Sequence, residues 1–168
     1  MASEDGYLGV FGDRLDVSPV RKRSSVFDAL KIADRKGDGV GGGTENGIWL
    51  FWDKAIKQKE HWDHVFVYSD MQAGHGGLYG TDPHAYHNYL WRNGRNIDVP
   101  KLVAEYRTKV NPNVKVYLVQ VAGYEDTIMP EFYKDTYILG GWSANVLKFA
   151  ARMAGLGQKQ VDQTPVQV

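Results

Sequence analysis

Two oxygen-bearing side chains stand where this chain could hold a metal ion. Thr44 follows a run of glycines and precedes a segment with helical spacing, and Asp70 ends the segment Tyr68-Ser69-Asp70 that follows on the apolar run 65–68. A hydroxyl and a carboxylate are hard oxygen ligands, which suit Mg²⁺ or Mn²⁺ better than zinc. The pattern therefore predicts a metal site at Thr44 and Asp70. The plainer alternatives are a threonine that caps a helix and an aspartate that forms a turn.

The residues beside this pair are predicted to contact a partner, and they lie in two glycine-rich segments: Gly42, Gly43, Glu45, His75 and Tyr79. Glycines allow close backbone approach, and the start of a helix offers free N–H groups to a ligand. These five residues and the metal pair form the candidate site.

No catalytic arrangement stands out in the sequence. It has no Gly-x-Ser-x-Gly elbow, no Walker loop and no His-Glu-x-x-His motif. His84 and His87 lack a third ligand at recognisable spacing, so an exposed helix face is preferred over a zinc site. The chain is thus predicted not to be an enzyme. The alternative is a metal-dependent hydrolase or phosphotransferase that uses Asp70, with His75 as the best candidate for a base.

The elements that must position these residues alternate between strands and helices. Apolar runs predict strands at 7–11, 65–68, 114–121 and 136–139, with a weaker strand around 15–17. Helical spacing of apolar residues predicts helices at 24–35, 48–56, 100–110 and 143–154, and residues 36–43 are predicted to form a loop. This alternation is typical of an α/β fold of Rossmann-like type, with a mainly parallel sheet and helices on both faces.

Composition limits the remaining classes of function. The 168 residues fit one domain, predicted at 1–155, with a disordered Gln-rich tail at 156–168. Twenty basic residues balance 20 acidic ones, so no global charge attracts nucleic acid or a membrane surface. No apolar stretch is long enough for a membrane helix, and there are no cysteines. The expected location is the cytoplasm.

In their order along the chain, several segments resemble the von Willebrand factor A-like (vWA-like) domain of the Ro autoantigen (TROVE) family. The segments that carry the resemblance are 10–15, 42–44, 65–70, 114–121 and 140–143. The resemblance implies a vWA-like fold with a metal-ion-dependent adhesion site (MIDAS), in which Thr44 and Asp70 are ligands from the second and third loops. It also implies association with RNA, for which the residues themselves give no strong support.

The Asp-x-Ser-x-Ser loop of such domains has no match here. Asp16 and Ser18 come closest, but Val20 replaces the second serine. The strand that precedes this loop in the family would lie between the equivalents of 7–11 and 65–69, so either these two strands pair directly or two open edges face each other. Our hypothesis is a split or truncated domain whose missing strand and oxygen ligands come from another polypeptide.

The predicted function is accordingly a non-catalytic, protein-binding module of a Ro-like ribonucleoprotein, acting through a partial MIDAS. A metal-free structural subunit of a larger assembly is a further alternative.

Overall fold

The computed structural model describes residues 6–21, 24–42, 46–69, 99–121, 134–140 and 144–159. They form five strands and four helices, in the order β1 (Gly6–Phe11), β2 (Leu15–Val20), α1 (Val26–Val40), α2 (Asn46–Gln58), β3 (His64–Ser69), α3 (Val99–Lys109), β4 (Lys115–Gln120), β5 (Thr136–Gly140) and α4 (Ala144–Lys159). The chain is therefore mixed α/β, as predicted, and none of its described helices is both long and apolar enough to cross a bilayer.

Strands β3, β4 and β5 form a parallel sheet with β4 in the middle. The central strand is buried along nearly its whole length, which explains why its sequence reads as a continuous apolar run. On one face, Val65, Val67, Val116 and Leu118 pack with α2 and α3 to make the hydrophobic core. Phe149 of α4 contacts Tyr137 on the opposite face.

Strands β1 and β2 form a separate antiparallel hairpin. Its alternating residues Tyr7, Gly9 and Phe11 lie on the side that faces α2, because Gly47 of α2 packs directly on Phe11. A Cβ at Gly47 would overlap the Phe11 side chain, so this close approach requires glycine. Pro19 lies inside β2, although the spacing of apolar residues predicts a strand only around 15–17. Among the described strands β2 pairs only with β1, and proline is tolerated in such an edge strand.

Helix α1 begins as the sequence predicts and ends later. Ser25 caps it: Asp28 N donates to Ser25 Oγ at 3.2 Å, and Ser25 N donates to Asp28 Oδ2 at 3.1 Å. The prediction of a loop at 36–43 is wrong, because the helix continues to Val40. Val40 is buried, and its carbonyl accepts a hydrogen bond from Arg14 N at 2.9 Å. This tertiary contact with the hairpin outweighs the low helix propensity of Gly37 and Gly39.

Helix α4 also runs past its predicted end. The sequence predicts an end at residue 154, just before Gly155, but the helix continues to Lys159. Val146 and Ala150 lie four residues apart in the predicted helix and are both buried, as helical spacing of the apolar residues requires.

Candidate functional site: a groove between two strand edges

A groove lies between the hairpin and the parallel sheet. In the described part of the chain, β1 pairs only with β2, and β3 pairs only with β4, so each presents an edge outside its own sheet. A cavity of about 290 Å³ lies between these edges, lined by residues from both β1 and β3. We call it the interstrand groove and define it by Tyr7, Gly9, Trp52, Trp62 and the β3 residues 64–68.

Large apolar side chains of α2 form the floor of the interstrand groove. Ile48, Phe51 and Trp52 reach it, and Trp52 is itself only 1% exposed. On the hairpin side, Gly9 leaves space above this floor: a Cβ there would meet only Leu15 Cδ1 at 3.7 Å and Val17 Cγ2 at 3.8 Å, ordinary contact distances. The groove is thus apolar, and its width at Gly9 is not limited by a side chain.

At one end of the groove, hydrogen bonds from Tyr106 and Asn111 hold the main chain of Trp62 in place. Tyr106 of α3 is fully buried; its hydroxyl donates to Glu60 O and accepts from Trp62 N, both at 2.8 Å. Asn111 Nδ2 donates to Trp62 O at 2.8 Å. Trp62 also contacts Tyr7 edge to face, with ring centroids 4.9 Å apart. These contacts hold Trp62 at the end of the groove where both β3 and the hairpin begin.

The other end of the groove lies at the start of α2. Gly47 N donates a hydrogen bond to Gly12 O at 3.0 Å, and Gly12 is the residue that directly follows β1. Helix α2 packs on β3, and the short segment 59–63 connects the end of α2 to the beginning of β3. The helix therefore runs antiparallel to the strand. Gly47, at the start of α2, thus lies near the carboxyl end of β3. Strand β1 begins at the Trp62 end and finishes at the Gly47 end. It follows that β1 and β3 point in the same direction.

Aromatic rings cover the face of β3 that is turned away from α2. Phe66 stacks on Tyr117 with ring centroids 4.5 Å apart, and Tyr117 stacks on Tyr137 at 5.2 Å. Burial raises the pKa of Tyr117 to about 12, with Tyr137 and Asp135 acting in the same direction. His64 Nδ1 lies 3.2 Å from the Tyr117 hydroxyl. Burial lowers the pKa of His64, Lys115 lowers it further, and Asp63 opposes both.

Of the predicted site residues, only Gly42 lies within the described residues; it is exposed and follows the end of α1. The other six lie outside them: Gly43, Thr44, Glu45, Asp70, His75 and Tyr79. The neighbours of the metal pair are described. Gly47, three residues after Thr44, and Tyr68, two residues before Asp70, both line the interstrand groove.

Among the described residues, no three His, Asp or Glu side chains come together in a group that could hold a metal ion. Chemically, the groove offers two strand edges, an apolar floor and aromatic rims. These features suit an extended polypeptide, which needs both main-chain hydrogen bonds and apolar pockets for alternate side chains.

Sequence reasoning missed the residues that hold Trp62 in place. Tyr106 lies inside the predicted helix 100–110 and Asn111 just after it, and the sequence marks neither as a contact of Trp62. Their partners lie 44 to 49 residues away along the chain, so no local spacing pattern reveals the contacts. Comparisons with protein-family models, with curated proteins and with solved structures find no match for this chain, and its function must be argued from this geometry.

Proposed function

We propose that this chain is a non-catalytic protein-interaction module that receives a β-strand of a partner polypeptide in the interstrand groove. The observation that carries the proposal is the pair of strand edges, β1 and β3, that border one apolar groove while belonging to different sheets. An inserted strand would supply main-chain hydrogen bonds to both edges and cover Phe51 and Trp52. An unpaired strand edge is a template for strand addition, which is one of the recurring modes of peptide recognition.

The proposal extends to the vWA-like type of domain and to its metal. In a domain of this type, the inserted strand would be followed by an Asp-x-Ser-x-Ser loop near the carboxyl ends of the parallel strands. Thr44 and Asp70 would then be this chain's own oxygen ligands, completed by oxygens of the partner and favouring Mg²⁺ or Mn²⁺. Support comes from Gly47 and Tyr68, since these neighbours of the pair in sequence both border the groove.

A fluorescence titration tests the proposal. The probe is a peptide with an apolar strand of alternating valine and isoleucine, followed by Asp-x-Ser-x-Ser and a solubilising lysine tail. Because Trp52 and Trp62 line the groove, binding should change the intrinsic tryptophan emission. A peptide with the same composition in scrambled order should not bind, and Mg²⁺ should tighten binding relative to EDTA. If the folded chain does not bind the peptide with the unscrambled sequence, the proposal is wrong.

A matched pair of glycine variants locates the binding. Gly9→Leu places a side chain into the groove, where a Cβ is tolerated, and it should weaken peptide binding by about tenfold or more. Gly6→Leu is the control in the same strand, because Gly6 does not line the groove and a Cβ there meets only Val20 O at 3.8 Å. Equal affinities for the two variants would place the peptide elsewhere.

A further inference from the structure

The geometry points to a second interaction surface, the outer edge of β5, at which two copies of this chain pair their β5 strands antiparallel across a twofold axis at Ile138. This surface goes beyond the proposed function, because β5 does not line the interstrand groove. It lies at the edge of the three-stranded sheet opposite to β3, with β4 between them. Pairing at β5 can therefore be tested independently of the groove.

Alternate residues of β5 direct their main-chain groups away from β4. Val116 N of β4 donates to Asp135 O at 2.9 Å, and the register partner of Val116 is Thr136. In a parallel pair with this register, the odd-numbered residues of β5 bond to β4. The N–H and C=O groups on the outer side therefore belong to Thr136, Ile138 and Gly140. Within the described part of the chain, β5 pairs with no strand other than β4.

The outer edge of β5 is exposed at its centre. Ile138 is 43% exposed although it lies in the middle of a strand, and Gly140 is exposed as well. Ile138 is the register partner of Leu118 and shares its sheet face, where α2 and α3 pack. It thus extends the apolar face of the core beyond the covered part of the sheet. A neighbour at this edge would remove that apolar surface from water, which is favourable.

The sequence of β5 lacks the features that protect edge strands from pairing. Charged residues and prolines usually give this protection. The outer strand of the hairpin, β2, contains Asp16 and Pro19. Strand β5 reads Thr-Tyr-Ile-Leu-Gly and contains neither a charge nor a proline. Of the two described strands that end a sheet away from the groove, β5 is therefore the one open to pairing.

A second copy of β5 fits this edge because the outward groups are symmetric about Ile138. In an antiparallel arrangement, Ile138 lies opposite Ile138 of the second copy, and Thr136 lies opposite Gly140. Both members of each pair then exchange main-chain hydrogen bonds, since their groups point outward. The two isoleucine side chains meet on the same face, and no like charges of β5 lie opposite each other. Such a self-complementary contact closes with two copies.

Sedimentation of the full chain at concentrations from about 1 μM to about 1 mM tests the pairing. The natural chain should pass from monomer to dimer. Ile138→Lys places like charges on the axis and should weaken dimerisation by about tenfold or more. Leu30→Lys is the control, because Leu30 is 58% exposed on α1, which packs on the hairpin. A natural chain that stays monomeric, or equal dimerisation of the two variants, would overturn the inference.

A mixing experiment tests the twofold axis itself. Ile138→Lys and Ile138→Glu should each be monomeric alone and should form a heterodimer when mixed, because opposite charges then face each other at the same position. Recovery of the dimer on mixing also shows that both variants are folded. A mixture that stays monomeric would show that residue 138 does not pair with itself, and twofold pairing at β5 would be excluded.

Discussion

Tyr106 links the core to the entrance of the groove. Its ring packs on Trp52, with centroids 5.2 Å apart, while its hydroxyl joins the main chain at Glu60 and Trp62. Burial raises the pKa of this hydroxyl, so it stays protonated and donates to Glu60 O throughout the neutral range. The Tyr106 hydroxyl is therefore one of the groups that hold Trp62 in position, together with Asn111 Nδ2 and the ring of Tyr7.

Replacing Tyr106 by phenylalanine should keep the ring and remove both hydrogen bonds. Because the Trp62 N–H would lose its acceptor in a partly buried site, we expect the free energy of unfolding to fall by about 1–3 kcal/mol. Denaturant unfolding measures it. Tyr7→Phe serves as the control, since Tyr7 is 51% exposed and its hydroxyl should contribute less than about 0.5 kcal/mol. Equal losses in the two variants would contradict this role of Tyr106.

His64 should make stability depend on pH in a narrow range. Its folded pKa lies below the ordinary value of 6.5, so the unfolded chain binds more protons between the two values. The contribution of His64 is fully present above about 6.5 and is lost as pH falls through the folded pKa. Denaturant unfolding at several pH values should show a steeper loss for the natural chain than for His64→Asn. Parallel curves would contradict the assigned direction.

At the scale of the elements, the sequence predicts the regular segments well where the spacing of apolar residues matches the burial. Strand β4 reads as an apolar run because it is buried along nearly its whole length, whereas β3 is buried at alternate residues. Helix α2 reads as a helix because Ile48, Trp52 and Ala55 share one buried side. The ends of α1 and α4 are harder to predict. Both helices pass through glycines, and for α1 a distant hydrogen bond from Arg14 decides the outcome.

Helix α3 is tied to the sheet by Arg107. Its Nη2 donates to Val114 O at 3.2 Å, to Asp135 O at 3.0 Å and to Thr136 Oγ1 at 3.1 Å, which joins the beginnings of β4 and β5. Arg107→Met should therefore cost about 1.5–3 kcal/mol of unfolding free energy, since bonds from a charged donor are lost.

Lys109→Met is the matched control on the same helix. Lys109 forms an exposed ion pair with Glu105 four residues earlier, worth about 0.3–0.5 kcal/mol. Thermal or denaturant unfolding of both variants measures the two losses of unfolding free energy. A loss at Lys109 as large as that at Arg107 would show that helix α3 is held by its surface charges and not by its contact with the strands.

The exposed apolar residues of α1 are a separate feature at this scale. Val26 and Phe27 are each 74% exposed and Leu30 is 58% exposed, although helical spacing alone suggests an inward face. Phe27→Ser should change the unfolding free energy by less than about 0.5 kcal/mol. Trp52→Ala, at the centre of the core, should cost about 3–5 kcal/mol. A large loss for Phe27→Ser in an unfolding experiment would mean that this part of α1 is covered.

For the whole molecule, the order of the strands carries more functional information than any single motif. The resemblance to vWA-like domains implies either direct pairing of β1 with β3 or two open edges, and β1 and β3 do not pair with each other in the described part of the chain. The predicted ligands Thr44 and Asp70 stay predictions, because they lie outside the described residues. The depth and lining of the groove could not be predicted, because they depend on where α2 and Trp62 pack.

The most direct test of this account is the pattern of nuclear Overhauser effects between backbone protons of β1 and β3 in the free, isotope-labelled chain. We expect cross-strand effects within β1–β2, β3–β4 and β4–β5, none between β1 and β3, and new ones from both strands to the peptide once it binds. Regular backbone effects between β1 and β3 in the free chain would show that these strands pair directly, and the groove would then have no place for a partner strand.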